Sequence, residues 1–126
     1  MIVKKTNYGL EVTIPEQRDE YGQLLNSQFT YWLRQVRTIN DNDPEEQPLI
    51  DRLEKDEKKL TDEFLKLAEE MEKLFTQLRT REDWEEWEKE YGDFNRLYHD
   101  RLDNLAYQIN GISFRYADES THGYCL

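Results

Sequence analysis

Three groupings in this 126-residue chain have the residue types that metal and hydrolytic chemistry use. Glu69-Glu70 and Glu85-Glu86 could each open a Glu-Glu-x-x-Glu element, the arrangement through which all-helical nucleotide hydrolases hold Mg²⁺. A hard cation needs several oxygens converging on one point. Lys73 and Lys89 occupy the third carboxylate's place in the two pairs, so neither set is complete. The third grouping is Glu119, His122 and Cys125. Glu-x-x-His is one half of a di-iron ligand set, and His-x-x-Cys is one half of a zinc site. Neither has its second half, and His99 is preceded at the same spacing by Arg96. Cys125 has no argued base, and the chain has neither a Gly-rich phosphate loop nor a nucleophile elbow. The expectation is no catalytic residue, no metal ligand and no cofactor. The remaining enzymatic alternative is a carboxylate- and Mg-dependent all-α nucleotide hydrolase.

Recognition is the stronger reading. Glu82, Asp83, Glu85, Glu86, Glu88 and Glu90 surround Trp84 and Trp87 within nine residues. Carboxylates can pair with Lys or Arg of a partner, and an exposed Trp is a frequent anchor. Acids near a helix start are also favoured by the dipole alone, and tryptophans on such a helix can belong to its packed face. The expected partner-binding residues are Glu82, Trp84, Glu85, Glu86 and Glu88. A sharper version is DNA mimicry, as in viral anti-restriction or anti-CRISPR inhibitors. Against it, Glu54 with Lys58, Asp62 with Lys66 and Glu69 with Lys73 have the i,i+4 spacing of ordinary solvated helices.

The elements that would position these residues follow from periodicity. Leu10, Val12 and Ile14 alternate with Glu11 and Thr13, which predicts a strand. With residues 1–6 it forms a β-hairpin over 1–15, turned at Asn7-Tyr8-Gly9. Leu25, Phe29, Trp32 and Val36 recur at spacings of 4, 3 and 4, predicting a helix over 19–40. Residues 44–110 read as an acidic helical hairpin. Its first arm carries Leu53, Leu60, Leu67 and Leu74 in heptads, interleaved with Ile50, Phe64, Met71, Leu78 and one polar exception, Glu57. Its second arm starts at the Thr80-Arg81-Glu82-Asp83 cap and closes at Gly111. Ile112, Phe114 and Tyr116 alternate again, so 111–126 reads as a strand and tail. The expected fold is α+β and mostly helical: a long antiparallel helical hairpin, one further helix, and a small antiparallel sheet from N- and C-terminal strands, all in a single domain over 1–126.

Composition bounds the setting. Apolar residues make up 37% and charged residues 36%, with three Trp, eight Tyr and five Phe. That aromatic content argues for a packed core. The net charge of −11 is uneven, because residues 41–104 hold twenty-two acids against eleven Lys/Arg while residues 1–40 hold four against five. Such a field repels phosphates and anionic lipid and favours a basic protein surface. A single cysteine, no apolar leader in the first residues and no membrane-length apolar run give the expectation of a cytoplasmic protein. The expected function is non-enzymatic protein–protein interaction, as an adaptor, assembly factor or inhibitor. Its partner would be another protein with a basic surface, with no direct nucleic acid or membrane contact. The surplus of aromatics leaves a homodimer open.

Overall fold

The computed structural model describes residues 1–38, 44–78, 89 and 98–119. Five strands come first: β1 (Ile2–Lys5), β2 (Gly9–Ile14), β3 (Gln17–Arg18), β4 (Leu24–Asn26) and β5 (Phe29–Arg34). A 3-10 turn, Val36–Thr38, leads towards helix α1 (Gln47–Leu78), and α2 spans Asp100–Glu119. The main sheet is antiparallel with order β1-β2-β5, while β3 and β4 form a separate short hairpin.

This corrects the expected fold class in three places. The first is the helix expected over 19–40, of which the described residues 19–38 form a turn, strands and a 3-10 turn instead. Asp19 organises a turn there, its Oδ1 accepting the N–H groups of Tyr21 and Gln23 at 2.9 and 2.8 Å. Gly22 completes that turn with φ of +83°, a conformation an L side chain resists. After the turn, Phe29, Tyr31 and Leu33 alternate with Thr30 and Trp32, and this two-residue period prevails over the four-three-four spacing that suggested a helix. β-Branched and aromatic residues suit a half-buried pleated surface, and β2 offers β5 an apolar partner strand: Val12 lies opposite Tyr31 and Leu10 opposite Leu33.

The second correction is at the C-terminal end, where no strand forms over 112–116. Gly111 does not close a helix, and α2 runs through it to Glu119. Leu102, Ala106, Ile109, Ser113 and Tyr116 form one buried stripe at spacings of 4, 3, 4 and 3, so the helical period is unbroken. Among the described residues the sheet therefore contains N-terminal strands alone. The third correction is the hairpin, because the two helices are not the adjoining arms expected over 44–110. α1 ends at Leu78 and α2 begins at Asp100, and the cap expected at Thr80 lies outside the described residues.

The core lies between the inner face of the sheet and the two helices. Val12, Ile14 and Leu33 meet Phe64, Leu67 and Met71 of α1 and Leu102 and Ile109 of α2, all of them buried. Tyr31 meets Phe64 edge to face at 5.0 Å between ring centres. A second apolar cluster joins Val36 of the 3-10 turn to Ile50, Leu53, Ile112 and Tyr116. The helices run antiparallel, as the Arg52–Glu119 pair at 2.8 Å and the Arg115–Asp56 pair at 3.2 Å show. Glu54, expected to pair along its own helix with Lys58, is instead held by Arg37. The heptad face of α1 is thus divided between a sheet and a helix.

Candidate interaction surface

α2 lies along the outer edge of β5 and blocks its C-terminal part with one side chain. Asn110 donates from Nδ2 to the Trp32 carbonyl at 3.0 Å, and its Oδ1 accepts the Arg34 N–H at 2.7 Å. An added strand would satisfy the same two backbone groups, so the side-chain amide stands in for one. Two turns earlier, Asp103 Oδ1 accepts the Tyr31 hydroxyl at 2.5 Å. Burial raises the Tyr31 pKa above its ordinary value, and the bond to Asp103 and that carboxylate's charge raise it further. The resulting order, Tyr31 by Asp103 and then Arg34 by Asn110, makes α2 parallel to β5.

Three large aromatics flank this seam. Tyr107 and Phe114, three residues before and four after Asn110, share its side of α2 and are 80% and 61% exposed. Trp32 is 57% exposed. It projects from the sheet face opposite the core, because its neighbours Tyr31 and Leu33 turn inwards. Burying aromatics of this size is among the largest gains available to a protein interface.

Glu57 marks a different feature, a groove of about 550 Å³ lined by Gln35, Asp51, Glu54, Lys55, Glu57, Lys58, Thr61 and Asp62. The Glu57 carboxylate is buried and its Oε2 accepts the Val36 N–H at 2.8 Å. Its pKa is pushed up to about 7, because burial disfavours the charge, and the nearby Glu54 adds to this while the Val36 N–H opposes it. A carboxyl with such a pKa can exchange a proton near neutrality. In this fold it fastens the 3-10 turn to α1.

The expected partner-binding residues Glu82, Trp84, Glu85, Glu86 and Glu88 lie outside the described residues, as do His122 and Cys125. Glu69 is exposed on α1. Glu70 lines a cleft of about 350 Å³ between the helices, together with Glu63, Lys66 and Arg101. Lys66 and Arg101 set two positive charges beside the two carboxylates, which opposes a divalent ion. Among the described residues no three of His, Cys, Asp and Glu converge as metal ligands. His99 packs its ring on Phe29 at 5.1 Å, and burial lowers its pKa against the pull of Asp103 and Asp100.

Sequence reasoning missed the Asn110 seam entirely. The helical period around Trp32 and the alternation around Phe114 place both on packed faces, whereas Trp32 belongs to a strand and Phe114 to a helix. Tyr107 did carry a signal, since it falls between the apolar positions Leu102, Leu105 and Ile109 rather than among them. Comparison with protein-family models, with curated proteins and with solved structures finds no match to this chain.

Proposed function

We propose that this chain is a cytoplasmic, non-enzymatic protein-interaction protein, an adaptor, assembly factor or inhibitor, that receives a basic surface of another protein. The observation that carries this reading is the exposure of Trp32, Tyr107 and Phe114 around the Asn110 seam. Large exposed aromatics on a small domain are what protein contact surfaces use as anchors. Charge supplies the partner's sign. The chain carries −11 in all, and the described helices contribute nine acids against six Lys/Arg on α1 and four against two on α2. A surface of this sign steers and orients a basic partner, and its pull weakens as salt screens it.

Affinity capture from the source lysate, with nuclease present and at low and high salt, tests the reading. A basic protein retained at low salt and released at high salt is expected. Two variants localise the contact: Glu82, Glu85, Glu86 and Glu88 all changed to Gln, and Trp32 and Tyr107 both changed to Ser. Each should weaken retention without unfolding the chain. Retention unchanged in both, or no salt-sensitive partner at all, overturns the proposal.

A further inference from the structure

The two edges of the main sheet differ. Asn110 blocks the C-terminal part of the β5 edge, whereas among the described residues nothing pairs with the outer edge of β1. All four residues of β1 are exposed, Ile2 at 61% and Val3 at 45%. The backbone pattern shows what that edge offers. The Thr6 N–H donates to the Gly9 carbonyl at 2.8 Å, so Thr6 turns its backbone groups towards β2. Hydrogen-bonding direction alternates along an antiparallel strand. Lys4 and Ile2 therefore also face β2, while Val3 and Lys5 present N–H and C=O outwards. The other ladder agrees, since the Gln35 N–H donates to the Tyr8 carbonyl at 3.0 Å, which turns Gly9 and Glu11 back towards β1.

Charge then selects the occupant. Lys4 and Lys5 project to opposite faces of β1, one on each side of any strand laid along it. A second copy of β1 fits poorly, because antiparallel self-pairing brings four lysines to one interface. An acidic strand fits well. We propose that the open edge of β1 docks an extended acidic segment of another protein as a fourth strand. In antiparallel register that segment reads acid, acid, apolar, apolar, with the acids against Lys5 and Lys4 and the apolar side chains against Val3 and Ile2. This site differs in place and in sign from the aromatic surface proposed above, and either can fail without the other.

The probe is a fluorescein-labelled hexapeptide, Thr-Glu-Glu-Val-Ile-Thr with blocked ends, titrated with the full chain and followed by anisotropy. Saturable binding is expected, weaker by about tenfold or more for the Thr-Lys-Lys-Val-Ile-Thr peptide. Val3→Pro removes an outward N–H, a change an edge strand tolerates, and should abolish binding with the thermal midpoint nearly unchanged. Lys4→Glu with Lys5→Glu should reverse the preference between the two peptides, and it decides the matter if Val3→Pro fails to fold. No binding at millimolar peptide, equal binding of both peptides, or binding retained in folded Val3→Pro overturns the proposal. So does a dimer of the chain that Val3→Pro disperses, since a second copy would then hold the edge.

Discussion

Glu57 occupies a position where the α1 heptad asks for an apolar side chain, and its burial shapes how the protein responds to pH. Its pKa is about 7 in the fold against 4.5 for the free side chain. A raised carboxyl pKa means that the folded state keeps its proton when the unfolded chain has lost it. The resulting stabilisation is complete below about pH 4.5 and is lost as pH rises through about 7. The charged groups around it are Glu54, Asp51, Lys55, Lys58 and Asp62 on α1 and Arg37 on the 3-10 turn. Urea unfolding at about pH 5 and pH 8 should show the native chain less stable at the higher pH by about 2 kcal/mol from this group. Glu57→Gln keeps an acceptor for the Val36 N–H and should remove most of that difference. An undiminished difference in Glu57→Gln would assign it elsewhere. Asn110 gives a second test at this scale. Asn110→Ala removes two hydrogen bonds from the β5 backbone and should cost about 1–3 kcal/mol, measured by the same unfolding experiment.

At the scale of elements, legibility depended on how many residues carried one period. The α1 stripe repeats its leucines over four heptads, and one helix accounts for all of them. The 29–36 stretch is short and supports two periods at once. Phe29, Trp32 and Val36 fit a helical face, and Phe29, Tyr31 and Leu33 fit a strand face. The choice was made by β2, a neighbour no local window contains, and by the Asp19–Gly22 turn that stops any helix from reaching back. In α2, Gly111 and the Ile112-Ser113-Phe114 alternation imitated a stop and a strand. The stripe from Leu102 to Tyr116 outweighed both, because Ser113 and Tyr116 have their place on the helical face. Gly111 therefore sits mid-helix, where a Cβ would meet nothing within 4 Å. Gly111→Ala should stabilise the protein by about 0.5–1 kcal/mol, seen as a raised thermal midpoint. A lowered midpoint would mean that the helix does not run straight through this position. The candidate surface was the least legible part, since it depends on α2 meeting β5 side by side.

Across the whole molecule, the sheet and the helices share one apolar interior while their charges diverge. The sheet-bearing residues 1–40 are close to neutral, and the acidity is concentrated beyond them. Among the described residues no helix is long and apolar enough to cross a membrane. Tyr107 and Phe114 are exposed on α2 and Trp32 on β5, whereas the outward face of α1 is charged. The blocking of β5 by Asn110 also sets a limit on stacking. A sheet with two open edges can add neighbours without end, each copy passing its free edge to the next. With the Trp32 carbonyl and the Arg34 N–H already taken by Asn110, a strand cannot lie in full register along β5, so growth through both edges is opposed and pairing at β1 favours a closed pair.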